Sequence, residues 1–469
     1  MYKQVDRMKI RCKKFLIFIF FLSFCIIGFI FFLIPEQGFR GYIIQDTNLS
    51  VYFPDFPSFW SSAKKQQITV SATKHLFNYL YDIELSFRKK WGIRPTPFRW
   101  YLWAGKPLLI SWNEQGDYLV SIKPRQLFRL FLLPSWKISN NITYGGDYYY
   151  LWKGNELLIS NKDTVLSQVV RFSNIPSNTN NNTAYIELGK NLKASFSIHA
   201  ENNFYIEGKI ASNKKPLDGL SSFSDFFNSN LSSVLLDCPL IDTFSDTSLT
   251  NTLSSLIPQK SLQPIFIWLL SFKDTYLEKL YLQLINKGLL NRSVFFYYGI
   301  SDKFSNPIPI FGFWFPYENS DITQLFSELN LELPYYSHPW NSFDGYIAPV
   351  WNNALCLSMV YYKKGWIICS QEALMAEITT LLHENKSDLK TNPVFNINIA
   401  QVSEDIEKIF LWCAKQELLN GINERDMSGL YSPWKQFLKE MGTLKLSLLP
   451  LENNQENYFL IRGGFVNDK

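Results

Sequence analysis

The side chains able to do chemistry are few and widely spaced. Four histidines, His75, His199, His338 and His383, are the natural acids, bases and metal ligands. None forms H-x-H or H-E-x-x-H, so a zinc site would have to be assembled from distant segments. Ser160 and Ser370 each end an apolar run where a nucleophile might be displayed. Their flanks, Leu158-Ile159-Ser160-Asn161-Lys162 and Ile368-Cys369-Ser370-Gln371-Glu372, lack the G-x-S-x-G elbow. Helix capping explains both serines better, with Asp163 or Glu372 suiting the positive helix end. Asp237, Asp242 and Asp246 do not follow a calcium-loop spacing. With no G-x-G-x-x-G and no G-x-x-x-x-G-K-[ST], nucleotide binding has no support in the sequence. The expectation is no catalytic constellation, no metal and no cofactor.

What remains is aromatic. Pro334 to Trp351 carries Tyr335, Tyr336, His338, Trp340, Phe343, Tyr346 and Trp351 among turn-forming Pro and Gly. Pro134 to Trp152 is its analogue, with Trp136, Tyr144 and Tyr148. Aromatic residues on loops can stack on sugars, grip a partner or lie at a membrane interface, so these ten are the candidate binding residues. Packing beneath the loops is the plainer alternative. Six cysteines include no C-x-x-C pair, and a bridge from Cys356 to Cys369 would depend on strand register.

The elements that must position these residues come in a repeated order. A helical face (Leu76, Leu80, Ile83, Phe87) stops at Gly92 and is followed by strands at 98–105, 107–112 and 117–122 and a short helix from Pro124. A second face (Tyr276, Leu277, Leu280, Leu284) stops at Gly288. Strands at 293–299 and 309–315 and a helix from near Ser320 or Asp321 follow it. "KGNELLIS" (Lys153 to Ser160) is echoed by "KKGWIICS" (Lys363 to Ser370). Two hairpins turn through Glu-Asn-Asn, at 201–203 and 452–454, and run on to Gly208 and Gly463. The order Gly92/Gly288, Gly105/Gly299, Leu127-Phe128/Leu325-Phe326, Gly154/Gly365, Ser160/Ser370, Gly208/Gly463 reads as an internal duplication. The expected fold is α+β: an N-terminal transmembrane helix, then two antiparallel sheet-plus-helix units. The units span 35–211 and 234–469, with a linker at 212–233 and a helical insertion near 403–439.

Charge and hydropathy bear on location. Residues 15–34 hold no charge and no proline, and a helix of that length matches the hydrocarbon thickness of a bilayer. Six basic residues and one acid precede it, which accounts for the whole net charge of +5. The rest of the chain is balanced, so a phosphate-binding surface and nucleic acid are excluded as expectations. The basic residues hold the first end in the cytoplasm and send the rest across. Richness in Lys, Asn, Ile and Phe points to an AT-rich bacterial genome, making the exported side a periplasm. The expected function is a non-catalytic scaffold or binding component of the envelope. It would hold another envelope protein or a ligand in the groove between the copies or on their aromatic loops. An envelope hydrolase or transferase with carboxylates assembled in the fold is the alternative, and a carbohydrate- or lipid-surface-binding protein is the third reading.

Overall fold

The computed structural model describes residues 38–65, 105–124, 141–144, 148–173, 180–188, 194–200, 204–211, 226–227, 231–236, 251–252, 259–271, 276–290, 293–301, 307–350, 356–384, 393–416, 418, 438–439, 441–450 and 458–466. The expectations for the apolar run 15–34, the helices at 73–92 and from Pro124, the strand at 98–105, His75, Cys238, Asp237, Asp242, Asp246, Trp136 and Trp351 lie outside them.

The first half of the chain contributes β1 (Tyr42–Ile44), β2 (Leu49–Phe53), α1 (Phe56–Lys65), β3 (Leu108–Trp112), β4 (Tyr118–Ile122), β5 (Thr143–Tyr144), β6 (Tyr149–Lys153) and β7 (Glu156–Ser160). It continues with α2 (Asp163–Ser167), β8 (Val169–Arg171), β9 (Thr183–Leu188), β10 (Ala194–Ala200) and β11 (Phe204–Ala211). The second half opens with β12 (Ser232–Leu235), α3 (Gln259–Leu270), α4 (Tyr276–Asn286), β13 (Val294–Ser301), β14 (Ile308–Pro316) and α5 (Ile322–Glu328). Then come β15 (Tyr336–Trp340), β16 (Phe343–Pro349), β17 (Cys356–Tyr361), β18 (Gly365–Cys369), α6 (Glu372–Glu384), β19 (Pro393–Asn398), α7 (Ile399–Lys415), β20 (Thr443–Pro450) and β21 (Tyr458–Val466).

These elements correct the expected fold class. The described residues are 46% strand and 28% helix, and nineteen strands form one antiparallel sheet, so the chain is mostly β rather than α+β. No helix among the described residues is long and apolar enough to cross a membrane. The strand content was hidden because several strands lie in stretches whose Pro, Gly and aromatic content reads as loop. β1 and β2 fall in the aromatic-rich stretch 35–60, which lacks a regular pattern, β12 begins inside the expected linker, and β15 and β16 make up the aromatic loop. That linker also places Phe226 and Phe227 in the core, with Phe226 against Phe296, Trp314 and Tyr362.

The pairings make one unbranched path, β5-β6-β7-β4-β3-β2-β9-β10-β11-β21-β20-β19-β12-β13-β14-β18-β17-β16-β15. No pairing joins β5 to β15 among the described residues, and those strands stand at the two ends of this path. β1 and β8 form a small separate ladder over the first half. Outward from β11 the path reads β10, β9, β2, β3, β4, β7, β6, β5. Outward from β21 it reads β20, β19, β12, β13, β14, β18, β17, β16, each strand holding the same place in its half. The halves meet edge to edge along β11 and β21, and no groove separates them at this junction. Ile206 faces Gly463 and Gly208 faces Ile461, so a shift of 255 residues maps each pair onto the other. A local two-fold axis therefore passes between Glu207 and Arg462, whose side chains pair at 2.9 Å.

Some landmarks shift by a residue or two. The Gly154-Asn155 turn occupies the place of Lys363-Lys364, not of Gly365. Lys363 and Lys364 have φ of 47° and 58°, the left-handed pair a two-residue hairpin turn needs to match strand twist. Neither Ser160 nor Ser370 caps a helix. The cap position of α2 is Lys162, with no side-chain cap bond. Ser160 Oγ donates to the Tyr118 carbonyl at 2.7 Å, and Ser370 Oγ accepts from Phe311 N–H at 3.0 Å. Both hydroxyls thus fasten the end of their strand to its neighbour, at equivalent residues of β4 and β14.

Apolar layers lie on both faces of the second half. Leu280 and Leu284 of α4 and Ile322, Leu325 and Phe326 of α5 cover one face, against Phe313, Phe315 and Trp366. Leu374, Met375, Ile378 and Leu382 of α6 cover the other, against Trp314, Val360 and Ile367. That second layer runs on through Phe459 and Ile461 to Ile210, Ala194 and Leu188, so one core crosses the junction. Burial of side chains such as Phe315 and Leu325 contributes about 1.5–3 kcal/mol each. At the junction, a Cβ on Gly463 would lie 1.9 Å from the Lys445 carbonyl oxygen, so only glycine fits.

Candidate binding site

The site is built where α7 crosses the sheet, and it exists only in the second half among the described residues. β19 runs directly into α7, and Asn398 turns the corner. Its Oδ1 accepts from Gln401 N–H at 3.0 Å, and its own N–H donates to Ser232 Oγ at 3.0 Å. Ile399 N–H donates to the Gly442 carbonyl, so the helix start is tied to both neighbouring segments. Farther along, Ile409, Phe410 and Cys413 of α7 pack with Trp268 of α3 and Ile300 of β13.

Asp405 faces the sheet from the same buried side of α7. Tyr297 Oη donates to Asp405 Oδ2 at 2.9 Å, Gln401 Nε2 donates to the same oxygen at 3.1 Å, and Lys408 Nζ lies 3.1 Å from Oδ1. Lys408 also reaches the Ile300 carbonyl at 3.3 Å. A buried carboxylate is costly unless it is paired and hydrogen-bonded, and three donors, one of them a cation, meet this one. Burial, and then the Asp405 charge, push the Tyr297 hydroxyl far above its ordinary value, so it remains a donor at neutral pH.

A β-bulge makes room for this arrangement. Tyr297 pairs with Phe311 and Gly299 with Ile310, which leaves Tyr298 without an opposite residue and turns it outward, exposed. Gly299 has φ of 138°, a conformation side chains disfavour, and a Cβ there would press on Gln401 Nε2 and the Asp405 carboxylate at 3.1 and 3.3 Å.

The bulge, the start of α7 and one edge of α6 surround a cleft of about 370 Å³. Leu231, Ile300 and Ile310 give it an apolar lining; Ser232, Asn398, Gln401 and the two tyrosines give it polar groups, and Glu377 of α6 adds a carboxylate. Polar and apolar groups share its wall about equally, a wetter lining than the mainly apolar form usual for small-molecule sites.

Comparison with protein-family models, with curated proteins and with solved structures finds no match. What this chain does must be read from its own geometry.

None of the candidate residues read from the sequence lines this cleft. Those described lie toward the two ends of the sheet instead. Trp340 is buried in the core, Phe343 packs on Tyr362 and Tyr346 on Trp366. Tyr335 sits edge-on to Phe326 at 4.9 Å, and its hydroxyl is 3.1 Å from Thr323 Oγ1. Tyr336 is exposed at the start of β15, and His338 lies against the Trp340 ring at 4.5 Å. At the other end, Tyr144 is exposed and packs on Tyr149, and Tyr148 is half-buried.

The remaining reactive groups are engaged elsewhere. Ser197 donates to the Glu207 carbonyl at 3.1 Å, which leaves its oxygen to accept from His199 Nε2 at 3.0 Å and His199 Nδ1 to accept from Thr183 at 2.9 Å. In that chain of bonds the imidazole does not take a proton from Ser197. His383 Nδ1 is 3.2 Å from Ser342 Oγ. Cys356, Cys369 and Cys413 are free thiols; Cys369 faces Ser358, so Cys356 is its diagonal neighbour and no bridge forms. Among the described residues no three His, Cys, Asp or Glu side chains converge on a point.

The site residues left a faint mark in the sequence. Asp405 stands at a position that Ile409 and Cys413 mark as apolar, with Gln401 and Lys408 a helical turn to either side. An acid on the buried stripe of a helix needs a partner, and that requirement was the available signal.

Proposed function

We propose that this chain is a non-catalytic binding component of a bacterial envelope, with the cleft beside α7 as its ligand seat and the continuous sheet as its frame. The observation that carries the reading is the buried Asp405, whose three donors fix Tyr297 and Gln401 in the cleft wall before any ligand arrives. A wall ordered in advance lowers the entropic cost of binding. The cleft groups are hydroxyls, amides and one peripheral carboxylate, a set suited to recognition rather than to proton transfer or nucleophilic attack.

In this reading the sheet faces the periplasm and works beside another envelope protein. The uncharged run 15–34 and the basic residues before it supply the attachment to the cytoplasmic membrane.

The test is a thermal-shift screen of the full chain against polar small molecules, run beside Glu377→Trp, which sets a ring across the cleft mouth from an exposed position. Ligands that stabilise the wild type and not the variant support the reading. A screen in which every ligand acts equally on both proteins, or in which none acts, refutes it.

A further inference from the structure

The geometry points to an uncharged saccharide as the ligand of the cleft, an assignment that rests on the binding reading above. The polar groups still unengaged among the described residues decide its class. Asn398 uses its Oδ1 and its backbone N–H, which leaves Nδ2 as a donor. Gln401 gives Nε2 to Asp405, which leaves Oε1 as an acceptor. The Glu377 carboxylate and the Tyr298 hydroxyl complete the set, and the Tyr298 ring is exposed at the bulge. The cleft thus offers a donor, acceptors and a group that does both, beside an aromatic ring and an apolar lining.

Each sugar hydroxyl donates and accepts at once, and planar amides and carboxylates can take neighbouring hydroxyls in pairs. The C–H face of a pyranose ring is apolar enough to pack on a tyrosine ring. Both demands are met here within one cleft.

The competing classes fit less well. An anion would meet Glu377 beside the buried Asp405, and two of the first N–H groups of α7, those of Ile399 and Gln401, are already taken by the Gly442 carbonyl and Asn398. Lys408, the cation of the cluster, is held by Asp405 and the Ile300 carbonyl. A peptide adding as a strand would need a free edge; β12 covers β13 as far as Tyr297, and beyond the bulge the Ile300 carbonyl is already held by Lys408. A wholly apolar ligand would strip water from the amides and the carboxylate without replacing its hydrogen bonds.

The experiment uses the full chain on an array of uncharged, aminated and acidic glycans, followed by calorimetry with the free form of the strongest binder. The variants are Tyr298→Ala and, as a control on the distant edge strand, Tyr336→Ala. Both residues are exposed, so both proteins fold. Expected is saturable binding of an uncharged glycan, weakened about tenfold by Tyr298→Ala and unchanged by Tyr336→Ala. Preference for acidic glycans, or undiminished affinity in Tyr298→Ala, overturns the assignment. A blank array together with a Glu377→Trp-sensitive ligand from the small-molecule screen removes the saccharide and leaves the binding reading. A blank array with no such ligand removes both.

Discussion

The Tyr297–Asp405 contact can be weighed by a double-mutant cycle. Tyr297→Phe deletes a hydrogen bond to a carboxylate, worth about 1.5–3 kcal/mol in general. Two other donors stay on Asp405, so the lower end, about 1.5 kcal/mol, is expected. Asp405→Ala strands the largely buried Tyr297 hydroxyl without its acceptor, at about 1–3 kcal/mol. Lys408 is 37% exposed and can turn to water, so its lost ion pair adds little. In the double variant the hydroxyl is gone, and the Gln401 amide loses its acceptor equally in both Asp405 variants, so the cost should still fall short of the sum by about 1.5 kcal/mol. The assay is urea unfolding combined with hydrogen exchange on α7, because that helix can open without the sheet. Additivity within about 0.5 kcal/mol would show that hydroxyl and carboxylate do not support each other, and the account of an ordered cleft wall would fall.

At the junction, Gly463→Ala would place a methyl group inside the Lys445 carbonyl, and backbone cannot move aside cheaply. A loss above about 3 kcal/mol in urea unfolding is expected, and a loss below about 1 kcal/mol would contradict the close approach of β20 and β21. Glu156 is buried, and desolvation raises its carboxyl above the ordinary value even though the Arg40 and Gly41 N–H groups and Ser121 pull it down. Because the folded value exceeds the unfolded one, its contribution to stability is full below the unfolded pKa, about 4, and is lost as pH rises through the folded value. Glu156→Gln should remove that slope, so the variant gains on the wild type as pH rises from about 4; a constant difference in urea midpoints across the range would refute the shift. Lys363→Asn with Lys364→Gly puts residues suited to positive φ into the turn before β18. The pair should stabilise by about 1 kcal/mol in the same denaturation, and a loss would argue against the left-handed geometry.

The parts of the fold legible in the sequence were those with strong local patterns. The face Tyr276, Leu280, Leu284 is α4, Asp321 accepts from Thr323 N–H as the cap of α5, and the strands expected on either side of 201–203 and 452–454 pair as β10 with β11 and β20 with β21. Local patterns carry no record of which strand edges meet, so the ladder from β11 to β21 and the single sheet could not be read in advance. The aromatic stretch around Trp340 looked like loop because Pro339 and Gly345 are turn residues, yet both are strand residues: Pro339 lies on β15, at the end of the path, where one side needs no partner, and Gly345 lies on β16, paired on both sides. The cleft was the least legible part. It depends on Tyr297 meeting Asp405, residues 108 apart, and on a bulge that composition does not announce.

The ion pair at the two-fold axis has a further consequence. On such an axis, a ladder between identical halves would set a residue against its own copy. First half on first half would oppose Glu207 to Glu207, and second on second would oppose Arg462 to Arg462. Only the unlike pairing joins opposite charges, as it does here. Being one chain lets the halves differ at that central position, which two identical subunits could never do. The pair therefore works as a matching key: it favours a half finding its own other half and penalises a like half from a neighbouring molecule.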